Sequence, residues 1–188
     1  MEHKLPDSSD LKRLPRLAAA SYSGFAVIHW SMSLETRATG WLDTTHHAAL
    51  RELLLHTCQR YALACPAYCV MPDHAHFLWQ GLDAEADQRL AVAWFRRKWN
   101  ALLAPRFALQ RQSHDHVLRS TERERSAYAA IAAYILQNPQ RAKLVPDWHA
   151  WSYLGAIFPG VYPLDPREAD YWERYWREHN RRVALQPL

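Results

Sequence analysis

The chain has 188 residues, a formal net charge of +4, and hydrophobic side chains at 49% of its positions. That length fits one domain with appendages, and the apolar share is enough for a core, which excludes a disordered chain. The absence of any run of about 18 apolar residues excludes a membrane-spanning helix, and the polar N-terminus lacks a secretion signal, so we expect a cytoplasmic protein.

The first half of the chain predicts an arm followed by alternating strands and helices. Residues 1–22 are interpreted as a flexible basic arm, because Pro6 and Pro15 interrupt any helix. The hydrophobic pattern then predicts four elements in order: a strand over residues 24–34, a helix from a cap at Asp43 or Thr44 to Pro66, and two hairpin strands over residues 67–71 and 74–80.

The second half predicts two helices around one strand, and then a tail. The elements follow in order: a helix over residues 84–104, a strand over 109–119, a helix from a capping box at Thr121 and Glu124 to Gln137, and a last helix over 166–181. This alternation predicts an α+β fold, with one antiparallel sheet and helices on one face. We expect the domain to span residues 23–145 and the tail, residues 146–188, to pack on it.

The positive charge is concentrated in residues 89–143, which carry 11 basic and 3 acidic side chains. Of the 23 basic residues in the whole chain, 19 are arginine, whose planar guanidinium suits phosphates and bases. Clustered cations are what a nucleic-acid backbone requires, so this block predicts a nucleic-acid partner. The alternatives at this stage are codon bias in a GC-rich genome and a solvated helix face.

Residues 94–99, with the sequence WFRRKW, combine cations with aromatic rings inside the second predicted helix. Grooves for single-stranded nucleic acids have this character, because bases stack on the rings and phosphates meet the cations. The alternative is an amphipathic helix whose core face contains Trp94 and Leu102. We expect both, with the apolar side packed inward and the arginines facing outward.

Two histidines alternate along the third predicted strand. His74 and His76 point to the same face, with Cα atoms about 6.5–7 Å apart, so both imidazoles can reach one metal ion. In a chain with 11 histidines such a pair also arises by chance. A zinc site that adds Cys65 and Cys69 is the other alternative, although a strand-borne CxxxC-x₄-HxH matches no common zinc spacing.

The third predicted helix carries a tyrosine outside its core stripe. Tyr134 and Asn138 lie four residues apart and so share a face, together with the small Ala127 and Ala130. A tyrosine on such a face has its hydroxyl available for chemistry. The alternative is a surface tyrosine that packs on the sheet.

Four motifs together resemble a known family. YCVMPDHAHFLW resembles the His-hydrophobic-His signature of HUH single-strand DNA endonucleases, and YILQNPQRAKLV resembles the tyrosine helix of REP-associated tyrosine transposases, a branch of the IS200-like superfamily. HDHVLR at 114–119 and WSY at 151–153 resemble the segments on either side of that helix. The matches follow the family order and cover about residues 24–153. Ser113-His114 and the small Ala75 depart from the family's pattern, and these departures bear on the shape of the DNA channel.

The resemblance implies a ferredoxin-like HUH fold and a metal-dependent transposase that nicks and rejoins single-stranded DNA at REP-like palindromic hairpins. In that family a tyrosine, here Tyr134, forms a 5′-phosphotyrosine intermediate. His74 and His76 would hold a divalent metal, Mg²⁺ or Mn²⁺, with Asn138 as the third ligand. The alternatives are a related HUH nickase for replication or mobilisation, and a domesticated module that binds hairpin DNA without cutting it.

We also expect a monomer or weak dimer that does not bind membranes and that associates with the nucleoid if the source is bacterial. The basic block supplies the expected DNA contacts. They are Arg89, Arg96, Arg97, Lys98, Trp99, Arg111, Arg119, Arg141 and Lys143.

Overall fold

The computed structural model describes residues 17–119, 124–161 and 163–184. The strands are β1 (Val27–Ser33), β2 (Leu63–Val70), β3 (His74–Gly81), β4 (His114–Val117) and β5 (Leu154–Ile157). The helices are α1 (Thr44–Arg60), α2 (Gln88–Leu103), α3 (Arg125–Leu136), α4 (Asn138–Arg141) and α5 (Tyr171–Ala184). No helix in these ranges is long and apolar enough to cross a membrane.

The strands form one antiparallel sheet in the order β4-β1-β3-β2-β5. With α1 between β1 and β2, and α2 between β3 and β4, the first four strands have the ferredoxin-like arrangement. The predicted α+β fold with an antiparallel sheet is therefore confirmed. The sequence did not predict β5, which comes from the segment assigned to the tail and pairs with β2.

Helices cover both faces of the sheet, and the expectation of helices on one face is wrong in this respect. A first core lies between the sheet and the pair α1 and α2, and a second core lies between the sheet, α3 and α5. The reason lies in β2, whose eight residues are all buried. A strand that is apolar on both sides needs cover on both sides, and the second layer comes from the C-terminal third of the chain.

Pro66 lies inside β2 and does not end α1, which stops at Arg60. Asp43 caps α1 as predicted, with its carboxylate accepting a hydrogen bond from the His46 amide. The register of β2 shifts around Pro66. As a result, Cys65 faces the first core and Cys69 the second, so the sheet separates the two thiols that a zinc site would need together.

The helix α2 buries a different side from the predicted one. Phe95, Trp99 and Leu103 face the first core, whereas Trp94 is half-buried and Leu102 is 42% exposed. The helix begins at Gln88, because the Asp87 carboxylate accepts hydrogen bonds from the first amides. The buried side follows from the interval of four residues between Phe95, Trp99 and Leu103, which puts them on one face of the helix.

The helix α3 begins at Arg125, one residue after Glu124. The Glu124 side chain forms no capping hydrogen bond, and Thr121, the other half of the predicted capping box, lies outside the described residues. The helix ends at Leu136, close to the predicted end. Pro139 then lies at the start of the short helix α4, where its missing amide hydrogen costs nothing.

Candidate active site

The alternation of β3 determines where its histidines lie. Phe77 and Trp79 belong to the first core and Leu78 to the second, so His74 and His76 face the side that α3 covers. Their Nε2 atoms are 3.1 Å apart. The sheet thus brings the predicted pair together on the same face as the tyrosine helix.

Each of these histidines has a hydrogen-bond partner on its other ring nitrogen. The Nδ1 of His74 lies 2.6 Å from a carboxylate oxygen of Asp73, and the Nδ1 of His76 lies 3.1 Å from the Nε2 of His29 on β1. A carboxylate accepts, so the Nδ1–H of His74 donates to Asp73 and leaves the Nε2 lone pair directed at His76. Partners of this kind orient histidine ligands in metal sites.

Burial keeps His76 and His29 neutral. It lowers the pKa of His76 to about 3, and the neighbouring His29 and His74 add to the effect. It lowers the pKa of His29 to about 4, with a smaller contribution from His116. Neutral imidazole is the form that binds metal ions, so His76 is ready to act as a ligand at neutral pH.

The spacing of the two Nε2 atoms fits a shared divalent ion. Two ligands about 2.1 Å from one ion and at right angles to each other are about 3 Å apart, close to the observed 3.1 Å. Within the described residues, no group of three His, Cys, Asp or Glu side chains is arranged to hold a metal. A third protein ligand in that part of the chain would therefore be a group of another kind, such as an amide oxygen.

Tyr134 differs from the other tyrosines in its exposure. Its side chain is 54% exposed, and it is the only exposed tyrosine among those that the structure describes. Ala130, one turn before Tyr134, is exposed as well, whereas Ile135, the next residue, is fully buried. This agrees with the predicted division of the helix into two faces. The hydroxyl of Tyr134 is thus presented at the surface by a helix anchored in the second core.

The end of α3 and the helix α4 form a compact polar cluster. The Nδ2 of Asn138 donates to the carbonyls of Tyr134 (3.2 Å) and Ile135 (2.9 Å), while its Oδ1 accepts a hydrogen bond from Arg141 (2.9 Å). The Arg141 guanidinium lies 3.8 Å from the centre of the Tyr134 ring. Its charge also helps to lower the pKa of His76, which relates this cluster to the histidine pair.

An open cleft of about 360 Å³ extends from the histidine pair towards β1 and β4. Its lining is polar and consists of Ser31, Ser33, Arg37, His74, His76, Gln110 and His114. Arg37 donates to Ser33 (2.9 Å) and pairs with Asp73 (3.1 Å), the same carboxylate that orients His74. A cleft with this lining suits a phosphate-bearing chain.

Sequence patterns missed His29, Asp73 and Arg37. Asp73 had the clearest signal, because it directly precedes His74. His29 and Arg37 come from other parts of the chain, and only strand pairing brings them to the site.

The predicted DNA-contact residues divide into three groups. Trp99 is 1% exposed and lies in the first core, 5.6 Å from Trp41 and 5.7 Å from Phe95 between ring centres. The prediction that it contacts DNA is therefore wrong, because the ring offers no open face. Arg96 is partly buried and donates to the carbonyl of Gln110, beside the cleft. The exposed members are Arg89, Arg97, Lys98, Arg111, Arg119, Arg141 and Lys143.

Comparisons with known proteins agree with the motifs. The chain is 23% identical over 153 residues to a Haemophilus influenzae protein assigned as a REP-associated tyrosine transposase, and the match covers 72% of this chain and 84% of that protein. No protein-family model matches the chain.

The fold is similar to a solved structure of a REP-associated tyrosine transposase bound to a REP hairpin. The TM-score is 0.64 at 20% sequence identity, and the match covers 84% of this chain and 92% of the other. The two findings confirm the resemblance that the motifs indicated: the chain is similar to a protein assigned as a REP-associated tyrosine transposase in sequence, and to a solved structure of such a transposase in fold.

Proposed function

We propose that this protein is a metal-dependent transposase that nicks and rejoins single-stranded DNA at REP-like palindromic hairpins. The observation that carries the proposal is the pair of Nε2 atoms of His74 and His76, 3.1 Å apart, on the sheet face covered by the helix that exposes Tyr134. The relative named as a transposase and the related structure bound to a REP hairpin support the choice of substrate.

His74 and His76 would hold the divalent ion, Mg²⁺ or Mn²⁺, with the amide oxygen of Asn138 as the third ligand. When bound, such an ion polarises a phosphodiester and offsets the negative charge that develops during cleavage. Asp73 and His29 act here as positioning residues, because they hold the two imidazoles with their Nε2 atoms towards each other.

Tyr134 is the proposed nucleophile. Its phenol loses a proton to solvent, and the phenolic oxygen attacks the phosphorus of the scissile phosphodiester. The bond from phosphorus to the 3′ oxygen breaks, and that oxygen takes up a proton to become a 3′-hydroxyl. The phosphate stays on Tyr134 as a 5′-phosphotyrosine, which a second 3′-hydroxyl can attack to rejoin the strand without an external energy source.

The exposed cations supply affinity for the DNA backbone. Two of these cations, Arg111 and Arg119, flank β4, and two, Arg141 and Lys143, follow α3. Of the four, Arg141 acts electrostatically on His76. Arg89, Arg97 and Lys98 belong to α2, which packs on the opposite face of the sheet. Each phosphate that such a cation neutralises adds to the affinity and makes it dependent on salt.

The test is covalent capture of DNA. The protein is incubated with Mn²⁺ and labelled single-stranded DNA that forms a REP-like palindromic hairpin, and the products are separated on a denaturing gel. We expect a labelled protein–DNA adduct that disappears in Tyr134→Phe and persists in Tyr61→Phe, a half-buried tyrosine on the other side of the sheet. An adduct that survives Tyr134→Phe would contradict the proposed nucleophile.

The same assay separates the alternatives. A protein that binds the hairpin tightly in a gel-shift assay but forms no adduct with Mn²⁺ or Mg²⁺ is a non-cutting hairpin-binding module. A protein that forms the adduct but does not join it to a second strand is a nickase rather than a transposase.

A further inference from the structure

We propose that Arg141 is a latch between DNA binding and metal binding. In the DNA-free protein its guanidinium occupies the amide oxygen of Asn138 and lies across Tyr134, and a DNA phosphate draws it away from both. This inference rests on the proposed function, because it concerns the ligand and the nucleophile of that site. It assigns to Arg141 a role beyond that of one more cation in the basic block.

The orientation of the Asn138 amide is determined by its partners. Two backbone carbonyls, those of Tyr134 and Ile135, can only accept hydrogen bonds, so they fix the position of the Nδ2 atom. Arg141 can only donate, so the atom that it contacts at 2.9 Å is the oxygen. The amide oxygen that the proposed site needs as a metal ligand is therefore the atom that Arg141 occupies.

A guanidinium and a divalent cation do not share one amide oxygen easily. Both are positively charged, and charges at such short range repel each other strongly even near a protein surface. The charge of Arg141 already acts on His76 and on Cys69, the residue opposite His76 on β2. Arg141 thus lies within electrostatic range of the proposed ion and opposes its binding while the latch is closed.

A phosphate is the group that can open the latch. Arg141 is exposed, and within residues 17–119, 124–161 and 163–184 no carboxylate pairs with it. Its guanidinium lies 3.8 Å above the ring of Tyr134, the side chain that the scissile phosphate must approach. An arginine binds phosphate through two parallel N–H donors, which is stronger than one bond to an amide oxygen. A DNA strand that reaches Tyr134 would therefore turn Arg141 towards itself and release Asn138.

The consequence is positive coupling between the two ligands. DNA bound at Tyr134 raises metal affinity, and metal raises DNA affinity by the same factor, since coupling in binding is reciprocal. Without DNA, the protein would bind its metal weakly, so Tyr134 would have no metal ion beside it.

The test is a Mn²⁺ titration followed by electron paramagnetic resonance, with and without hairpin DNA, in a Tyr134→Phe background that cannot cut. We expect the hairpin to raise Mn²⁺ affinity about ten-fold, within the usual range of coupling between two ligands. Adding Arg141→Gln should raise the affinity of the DNA-free protein by a similar factor and reduce the further effect of DNA to less than about two-fold. The matched control is Arg60→Gln, which removes an exposed cation at the end of α1, outside the proposed DNA contacts, and should preserve the coupling.

Two results would overturn the latch: Arg141→Gln with the Mn²⁺ affinity of its parent, or coupling to DNA that persists in that variant. Absence of Mn²⁺ binding from every variant would overturn it as well. The proposed function is judged separately, by the adduct assay with Arg141 intact. Adduct formation without coupling refutes the latch alone, whereas coupling without an adduct refutes the transposase activity alone.

Discussion

The two faces of the sheet are built from the same strands and differ in what they do. The face under α1 and α2 is sealed by large rings, with Trp30, Phe77, Trp79, Phe95 and Trp99 each at most 1% exposed. The other face is apolar where α3 and α5 pack over the second core, to which β2, β3 and β5 all contribute. Beside that cover, its side chains are polar and line the open cleft.

This difference shows how a small domain combines stability with an accessible site. Side chains alternate along a strand, so β1 and β3 can supply a core to one side and histidines and serines to the other. Substitutions on the sealed face or beneath α3 and α5 should change stability, and substitutions in the open cleft should change ligand binding. Four experiments test that division.

The largest expected effect is on the sealed face. Trp99→Ala should lower the free energy of unfolding by about 3–5 kcal/mol, because it opens a cavity between Phe77, Phe95 and Trp41. Lys98→Ala, its exposed neighbour, should change it by no more than about 0.5 kcal/mol. Urea unfolding measures both. If Trp99→Ala is as stable as the wild type and binds DNA more weakly, the result would contradict the core role of Trp99 and support a contact between this ring and DNA.

The second effect concerns the covered half of the cleft face. The Oε1 of Gln80 accepts hydrogen bonds from Tyr128 (2.7 Å) and Tyr175 (2.5 Å), and so joins α3 and α5 to β3. Gln80→Leu should lower the free energy of unfolding by about 1–3 kcal/mol, since the two buried hydroxyls, 3.1 Å apart, can then pair only with each other and one of them loses its acceptor. Adding Tyr128→Phe and Tyr175→Phe should restore part of the loss in thermal unfolding. A triple variant no more stable than Gln80→Leu would contradict this explanation.

The third effect is on ligand binding with little change in stability. Asp73→Ala removes the partner of the His74 Nδ1 and should weaken Mn²⁺ binding about 10–100-fold, the usual cost of losing such a partner. Calorimetric titration measures the affinity. Asp170→Ala, on an exposed carboxylate before α5, is the control and should leave it unchanged. Equal Mn²⁺ affinities in the two variants would show that Asp73 does not contribute to metal binding.

The smallest effect is a pH dependence of the tail helix. The Nε2 of His179 lies 2.7 Å from the Gln80 amide nitrogen, a donor, so His179 must be neutral to accept that bond. Burial lowers the pKa of His179 below its usual 6.5, with the Arg125 charge adding to the effect. The stabilisation is therefore complete above about pH 6.5 and is lost as the pH falls through the lowered value.

Hydrogen exchange of α5 between pH 7.5 and pH 5 tests this prediction, with rates corrected for the intrinsic effect of pH. Protection should decline in the wild type on acidification and change less in His179→Gln, which does not titrate. Equal declines in the two proteins would place the acid sensitivity elsewhere.

The local patterns predicted the main parts of the site. A period of two put His74 and His76 on one face, because that relation depends only on the backbone geometry of one strand. A spacing of four put Tyr134 beside Asn138, and the structure keeps this relation across the junction of α3 and α4, where the Asn138 amide donates to the Tyr134 carbonyl. Local patterns could not predict which other residues contact these side chains. His29 comes from another strand, and the contact between Arg141 and Asn138 depends on how the chain turns at Pro139.

By itself, the sequence determined the α+β class, the hairpin that bears the two histidines, the helix that bears Tyr134, and the resemblance to REP-associated tyrosine transposases. Only the tertiary structure decided which rings are buried, as for Trp99, that helices close both faces, and that β5 completes the sheet. The charge of the protein is another example. The sequence showed that the net charge of +4 arises from the basic block at residues 89–143, whereas only the fold showed that α2 and α3, which carry part of this block, lie on opposite faces of the sheet. The physical reason is that periodicity acts within one element, whereas burial and electrostatic environment depend on which elements pack together.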